Sequence, residues 1–339
     1  MEMCGDCSFG YLESTVNFYK KDDVSLEFFR AHGVLPFKVT CPVCENECVR
    51  NGSVWRCTNS YKVEKTKKRK WCGFKVSDRK GTFIGGARVD PWKMIIFLNH
   101  FLSKYFDYEL LVKELGLSNS TVADWRSFAS EVCIAAVEEE AAIGGEGVIV
   151  EIDESHFGHA KYDRGRQLSN IWVFGGIERG SKKCFAVPLT GEFSEAGSTS
   201  RDKATLIPLI KRYIKKGSVI ISDCWKAYDG IPLVEGMDYT HRKINHSENY
   251  VDPQDNSIHT QNIERLWRSM KEDWARPGIR AQYFVQYIGR FMFRRKDNPR
   301  QRLHRFLLAA GHLYKHGSEA SAPHEEGEDE TEDENDVTY

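Results

Sequence analysis

GVIVEIDE, residues 147–154, is the stretch that decides the fold, because a run of β-branched residues ends there in carboxylates. Valine and isoleucine at this density predict a central and largely buried strand. Side chains alternate along a strand, so Ile149, Glu151 and Asp153 share one face of it. A carboxylate at the end of a buried strand is destabilising unless it is paired or binds a cation. Either a polar loop follows this strand, or Asp153 is a ligand.

Two later segments favour the ligand. Residues 217–223, GSVIISD, form a second β-branched run that delivers Asp223 at its C-terminal end. Further along, apolar residues recur at the spacing of a helix, at Ile263, Leu266, Trp267, Met270 and Trp274. Glu264 lies off that stripe, on the side of the helix that carries Arg268 and Lys271. Two strand-end aspartates and a helix glutamate are oxygen ligands on rigid elements, as a pair of hard divalent cations requires.

Three sequence blocks surround these acids: VEIDESHFG (150–158), ISDCWKAYDG (221–230) and HTQNIERLW (259–267). Together with a cysteine-rich segment upstream, they resemble the DDE transposases of the Merlin group and their bacterial insertion-sequence relatives. The resemblance covers roughly residues 41–274, and three linked blocks are far more specific than any single acid.

The resemblance implies a ribonuclease-H-like α/β fold and an enzyme that cuts and joins double-stranded DNA at transposon ends and target sites. Asp153, Asp223 and Glu264 would be its catalytic residues and would bind two Mg²⁺ or Mn²⁺ ions. A homo-oligomer on DNA is expected with it. His259 and Asn262 lie within one turn of Glu264. They either orient Glu264 or the attacking water, or Thr260 or Asn262 caps the helix.

Charge is divided unevenly along the chain. The 339 residues carry a net charge of −1, but residues 318–339 hold ten acids and no lysine or arginine. Residues 1–317 therefore carry 48 basic and 39 acidic residues, a net charge of +9. This pattern predicts a body that attracts polyanions and a disordered acidic tail. With neither a secretory leader nor a membrane span expected, we predict a nuclear protein in a eukaryote and otherwise a cytoplasmic one.

Five of the ten cysteines cluster between Cys41 and Cys72, which indicates a metal site rather than a disulfide scaffold. The predicted Zn²⁺ ligands are Cys41, Cys44, Cys57 and Cys72. Cys48 is the alternative fourth ligand, because the basic insertion 62–70 separates Cys57 from Cys72. Its run Lys65–Lys70 either contacts phosphate, acts as a nuclear import signal or is a solvated loop. Cys4 and Cys7 form a CxxC that is a redox pair, half of a metal site or part of an ordinary N-terminal segment.

A helix-turn-helix pattern follows the cysteines. Asp90-Pro91 predicts a helix start, with helices over 92–106 and 108–115. Gly116 makes the turn into a third helix that opens at 117–126 and whose spacing suits a major groove. The alternative is a plain helical bundle that links two domains. The predicted DNA contacts are Asn119, Ser120, Thr121, Trp125 and Arg126, joined by Arg268 and Lys271.

Five segments are predicted in all. They are an N-terminal segment (1–36), a zinc ribbon (37–86), a helix-turn-helix region (90–143), a ribonuclease-H-like catalytic domain (146–316) and the disordered acidic tail (317–339). Two other functions remain open: a domesticated transposase descendant that binds DNA without transposing, and a ribonuclease-H-like nuclease.

Overall fold

The computed structural model describes residues 4–62, 69–104, 106–139, 142–157, 171–189, 200–245, 248, 251–273 and 283–314. Trp274, the acidic tail 317–339 and most of the basic run Lys65–Lys70 lie outside these ranges. Within them the chain is a mixed α/β protein. None of its described helices is long and apolar enough to cross a bilayer.

The described helices are α1 Tyr11–Phe18, α2 Asp22–Ala31, α3 Pro91–Phe101, α4 Tyr108–Leu115, α5 Asn119–Glu138, α6 Lys203–Tyr213, α7 Gln261–Asp273, α8 Phe284–Lys296 and α9 Arg302–Leu313. The strands are β1 Val49–Asn51, β2 Val54–Arg56, β3 Ser60–Lys62, β4 Arg69–Trp71, β5 Lys75–Ser77, β6 Ile149–Phe157, β7 Ile171–Glu178, β8 Cys184–Pro188, β9 Val219–Asp223 and β10 Thr240–Ile244. A 3-10 helix spans Lys226–Leu233.

The largest sheet has five strands in the order β10-β9-β6-β7-β8. β10, β9 and β6 run parallel, whereas β6, β7 and β8 are antiparallel neighbours. Val150 and Ile152 pack with α6 in one apolar core, while α7 packs with β7 in another on the opposite face. Helices therefore cover both faces of β6, which explains why Val150 and Ile152 are completely buried.

β6 is longer than the sequence predicts. We expected the strand to end at Asp153, but it continues to Phe157 because that ring is buried against α7. The Phe157 ring lies 5.8 Å from the Phe284 ring and 6.0 Å from the Trp267 ring. Asp153 is therefore in the middle of the strand and not at its end.

The cysteine-rich segment forms two small antiparallel sheets, β1-β2-β5 and β3-β4. Its anchor to the rest of the chain is the buried Asp78 carboxylate. Asp78 Oδ1 accepts the Trp55 indole N–H at 2.8 Å, and Asp78 Oδ2 accepts from Arg30 of α2 at 2.9 Å. A buried bidentate ion pair of this kind holds one orientation, so the segment is fixed against α2.

The helical region has one core, which crosses the predicted boundaries. Phe18 and Phe29 from the N-terminal segment lie in the same buried cluster as α3, α4, α5 and most of the buried face of α9. The packing therefore differs from the predicted boundaries. Residues of the predicted N-terminal segment (1–36) belong to the helical core, and so does α9, which was predicted to belong to the domain 146–316. α3 also ends at Phe101, five residues before the predicted end, and α5 runs on to Glu138.

α8 joins the helical core to the sheet. Ile288 and Met292 pack with α7, whereas Phe293 packs with α9. On the side facing α3, Arg290 Nε donates to the Phe101 carbonyl and Arg294 Nη1 to the Ser103 carbonyl, both at 2.7 Å. These arginines bind the free carbonyls at the end of α3, a favourable position for cations.

Gly175 lets Trp267 lie over the sheet. A β-carbon at Gly175 would be 2.5 Å from Trp267 Cη2 and 2.9 Å from the Phe185 carbonyl oxygen. We expect Gly175→Ala to lower the free energy of unfolding by about 1–3 kcal/mol, because this overpacking forces the indole or the backbone to move. Urea denaturation measures the change. In a Trp267→Leu background the same alanine should cost less, and equal costs in both backgrounds would contradict the assigned contact.

Candidate active site

The two predicted strand aspartates lie side by side in the large sheet. β6 and β9 pair in parallel with Glu151 opposite Ile221. Continued for two residues along both strands, this register places Asp153 beside Asp223. Both residues are half-buried. Asp223 Oδ1 also accepts the backbone N–H of Trp225 at 3.0 Å, which fixes the turn after β9.

Trp267 and Glu264 bring α7 to these aspartates. The Trp267 indole N–H donates to Asp153 Oδ2 at 3.0 Å. Glu264, one turn earlier on α7, is exposed, and its charge contributes to the raised pKa of Asp153. Carboxylates from two strands and one helix are therefore close enough for the charges of Asp223 and Glu264 to act on Asp153.

Glu151 fixes the start of α7. Its side chain is fully buried, and Oε2 accepts the backbone N–H groups of Asn262 and Ile263 at 2.8 and 3.1 Å. Oε1 accepts from the Asn262 side chain and from Arg179 Nε, both at 2.6 Å. A carboxylate at a helix N-terminus satisfies its free amides and complements its dipole. The sequence alone left Glu151 without a role.

The supporting residues His259 and Asn262 differ from the prediction. The Asn262 side chain binds Glu151 instead of Glu264, and His259 Nδ1 lies 3.5 Å from Glu151 Oε1. Both residues therefore hold the start of α7 and orient Glu264 only through the helix. Thr260 is the residue that touches it, with Oγ1 3.4 Å from Glu264 Oε1.

Two buried carboxyl groups at the site, Asp153 and Glu154, have raised pKa values. Burial raises the pKa of Asp153 to about 7; the Trp267 hydrogen bond opposes this, and the charges of Asp223 and Glu264 add to it. Burial likewise raises the pKa of Glu154 to about 7. Acids that disfavour one another's ionisation bind a cation by releasing protons, so cation affinity should rise as pH passes through 7.

Glu154 and Tyr228 form a buried polar pair that the sequence did not single out. Glu154 lies on the opposite face of β6 from Asp153, where the Tyr228 side chain is completely buried. Burial, followed by the Glu154 charge, raises the pKa of Tyr228 well above its usual value. Among the described residues, neither the Tyr228 hydroxyl nor Glu154 Oε1 has a hydrogen-bond partner within ordinary distance.

A stacked arginine borders the same end of the sheet. The Arg201 guanidinium lies 3.7 Å from the centre of the Trp172 ring and 5.4 Å from that of Trp225. Trp225 is 44% exposed, and its indole N–H donates to the Arg201 carbonyl. An arginine held between aromatic rings keeps its donors free for a phosphate. The sequence gives no signal for it, because Trp172 and Arg201 are far apart in the chain.

The four predicted zinc ligands come together. The ligand atoms of Cys41, Cys44, Cys57 and Cys72 all lie within 4.8 Å of one another. Cys72 belongs to this group, whereas the alternative ligand Cys48, which is buried, lies outside it. Sulfur pairs 3.4 and 3.5 Å apart are close to the ~3.8 Å edge of a tetrahedral zinc–thiolate site. A backbone N–H donated by Asn46 is the main reason that the pKa of Cys44 falls to about 6.

The predicted DNA contacts separate into exposed and packed residues. At the start of α5, Asn119 and Ser120 are exposed and Thr121 is half-buried. Ser118 caps this helix, because its side-chain oxygen accepts the Thr121 N–H at 3.1 Å. Trp125 is 7% exposed and packs on Phe83 in the core. The prediction that Trp125 contacts DNA is therefore wrong, because helical spacing alone did not reveal its buried face.

The predicted basic contacts also differ among themselves. Arg126 stacks 5.6 Å from the ring centres of Tyr283 and Tyr287, which binds α5 to the segment that opens α8. Arg268 is exposed on α7, and Lys271 lies 5.1 Å from the Phe157 ring centre. Burial lowers the pKa of Lys271, and the Asp153 charge opposes that shift, so this cation lies beside the acids.

Residues 144–296 match a family model described as the ISXO2-like transposase domain. An uncharacterized transposase-like protein of Haemophilus influenzae is 28% identical over 86 residues, which are 25% of this chain and 65% of that protein. The chain thus spans just under two thirds of this relative. These two similarities support an insertion-sequence transposase family.

Among solved structures, the chain is similar to the cryo-EM structure of a simian T-cell lymphotropic virus intasome in complex with PP2A regulatory subunit B56 gamma. The two are 9% identical, and the match covers 55% of this chain and 64% of that one, with a TM-score of 0.28.

The raised pKa of Asp153 predicts how stability changes with pH. Because the folded pKa lies above the usual value of 3.8, the stabilising effect of the proton is complete below pH 4 and is lost as pH rises through 7. In buffer without Mg²⁺ or Mn²⁺, Asp153→Asn should therefore have a free energy of unfolding about 4 kcal/mol higher than wild type at pH 8, and about the same at pH 4. Denaturant titrations measure this difference, with Asp238→Asn as the exposed control. A variant less stable than wild type at pH 8 would contradict the assignment.

The role of Glu151 predicts a local effect on α7. Glu151→Ala leaves two helix amides and the Arg179 Nε–H without their acceptor, which should cost about 3 kcal/mol of stability. Hydrogen exchange should accelerate first at the amides of Asn262 and Ile263. Glu272→Ala, at the exposed far end of the helix, is the control. Unchanged protection of those two amides would show that Glu151 does not hold the helix.

Proposed function

We propose that this chain, whose residues 144–296 match an insertion-sequence transposase domain, is a DDE transposase of the Merlin group that cuts and joins DNA at transposon ends. One observation carries the proposal. Asp153 and Asp223 stand level on neighbouring parallel strands, and Glu264 faces them from α7. All three blocks that resemble the Merlin group contribute an acid to this site.

The sheet topology supports a ribonuclease-H-like core. Three antiparallel strands, β6, β7 and β8, are followed by two parallel strands, β9 and β10, and α6 makes the crossover between β8 and β9. Antiparallel strands followed by helix-linked parallel ones are the arrangement that this fold requires. The small antiparallel sheets around the clustered cysteines similarly support a zinc ribbon.

The acids fit hard divalent cations. Carboxylate oxygens are the ligands that Mg²⁺ and Mn²⁺ prefer, and the pKa of Asp153 is raised by its burial and by the charges of Asp223 and Glu264. Asp153, Asp223 and Glu264 would hold two such ions. The chemistry that such ions would supply there is activation of the attacking water or 3′-hydroxyl and stabilisation of the leaving oxygen in an in-line displacement at phosphorus.

The surrounding residues keep the acids in position. The Trp267 indole holds Asp153 through a hydrogen bond, and Glu151 holds the start of the helix that carries Glu264. A catalytic group that misses its position by about 1 Å can lose 10²-fold in rate. Trp267 and Glu151 are thus positioning residues, since neither points a free donor or acceptor at the substrate.

DNA binding follows from the charge of the body and from three exposed surfaces. Residues 1–317 carry a net charge of +9. Asn119 and Ser120 at the start of α5 would read the transposon end, while Arg268 on α7 and the stacked Arg201 would contact phosphates close to the acids. We include a homo-oligomer on DNA in the proposal, because transposition joins two ends.

Cleavage of a labelled duplex that carries the terminal repeats flanking the coding region tests the proposal. Asp153→Asn, Asp223→Asn and Glu264→Gln should each lower cleavage and strand transfer by roughly 10³-fold or more. DNA binding in a gel-shift assay should survive, because the helical surfaces are unchanged. Glu272→Gln, an exposed glutamate on the same helix as Glu264, is the matched control and should cut like wild type.

The metal ion separates the alternatives in the same assay. Mg²⁺ or Mn²⁺ should support cleavage, whereas Ca²⁺, which is larger and less strict in geometry, should support binding alone. Full cleavage by Asp153→Asn would exclude the carboxylate site. A wild type that binds its ends and cuts with neither metal would indicate a domesticated DNA-binding protein, and cutting without preference for the ends would indicate a nuclease.

A further inference from the structure

A second cluster of metal-type ligands lies far from the carboxylates and from the first cysteine cluster. Cys4 and Cys7 precede α1, His32 ends α2, and His304 lies on the first turn of α9. One ligand atom from each of these four residues lies within 4.8 Å of every other. The chain therefore brings together residues that are up to 300 positions apart.

The distances within the cluster match a four-coordinate ion. Cys7 Sγ is 3.2 Å from His32 Nε2 and 3.3 Å from His304 Nδ1, and the two nitrogens are 3.1 Å apart. Zinc bonds of about 2.3 Å to sulfur and 2.0–2.1 Å to nitrogen give tetrahedral edges of ~3.3–3.8 Å. The three contacts are within a few tenths of an ångström of these edges.

Hydrogen bonding alone does not account for the cluster. His32 Nδ1 lies 2.8 Å from the Phe28 carbonyl, which only accepts, so the proton of a neutral His32 ring is on Nδ1. His32 Nε2 is then a bare lone pair. Three contacts join Cys7, His32 and His304, but only the thiol and His304 Nδ1 have a proton to give. Two protons cannot serve three contacts separately, so at least one contact has no hydrogen of its own, and a shared cation resolves this.

The packing around the cluster holds the ligands together. The backbone N–H of Cys4 donates to the Ala31 carbonyl at 2.8 Å, directly before His32. At the other end of the site, Gly311 of α9 is so close to Gly33 that a β-carbon would be 2.7 Å from its carbonyl carbon. His32 and His304 are 1% and 5% exposed. The bond from His32 Nδ1 to a carbonyl is the outer contact that orients histidine ligands.

We propose that Cys4, Cys7, His32 and His304 form a structural Cys₂His₂ zinc site that fastens the N-terminal segment to α9. Two thiolates and two imidazoles suit zinc far better than Mg²⁺ or Ca²⁺. Four protein ligands leave no position for a substrate, so the role is structural. The site closes the core shared by α1, α2 and α9, and it is independent of the activity proposed above.

Zinc analysis of the full-length protein, purified without chelator, tests the site. We expect two zinc ions per chain, one in each cluster. X-ray absorption at the zinc edge should then average three sulfur neighbours and one nitrogen neighbour per zinc, because a Cys₄ site and a Cys₂His₂ site are mixed. Cys7→Ser and His304→Ala should each lose one zinc. Cys41→Ser should keep one zinc, now with two sulfurs and two nitrogens.

His312→Ala is the matched control, because His312 is exposed on the same helix as His304 and should keep both ions. A single zinc with two nitrogen neighbours would still support this site and count against the cysteine cluster. A wild type whose zinc has sulfur neighbours only would overturn the proposal, whether or not the variants fold. So would a His304→Ala protein that is folded and holds as much zinc as wild type.

Discussion

The buried Glu151 carboxylate is the contact on which the site depends. It lies in the middle of β6 and binds the free amides at the start of α7 together with Arg179. A buried charge is tolerated only when its hydrogen bonds are complete, and here both oxygens are used. Asp153 is two residues further along the same face of the strand. One strand therefore fixes the position of Asp153 and also the position of the helix that carries Glu264.

The two carboxylates on this face of β6 are held differently. Burial and the charges of Asp223 and Glu264 raise the pKa of Asp153 to about 7, while the Trp267 indole N–H holds this carboxylate in place and opposes the shift. Glu151 is instead fully paired at the start of α7. Two carboxylates on the same face of one strand therefore differ, one fully paired and one left poorly paired.

The sequence predicted the parts of the molecule that depend on local pattern. The alternation in residues 147–154 identified β6, and the helical stripe at Ile263 identified α7, because each pattern is complete within a few residues. It did not identify the full length of β6, the burial of Trp125 or the stacking of Arg201 on Trp172. Each of these depends on residues distant in the chain, so one sequence carries no signal for it. The same holds for Glu151, whose partners lie beyond residue 178.

Contacts between residues that are distant in the chain also explain how the two halves of the molecule are connected. The core of α3, α4 and α5 is completed by α1, α2 and α9, so the sheet between residues 149 and 244 is inserted into a helical unit. α8 belongs to both cores, and Arg294 joins them through Asp273 at the end of α7 and the Ser103 carbonyl after α3. Since a buried ion pair holds its partners in one geometry, a displacement of the helical unit on DNA would be transmitted to α7. The exposed start of α5 and the acids are therefore linked by packed elements rather than by a flexible connection.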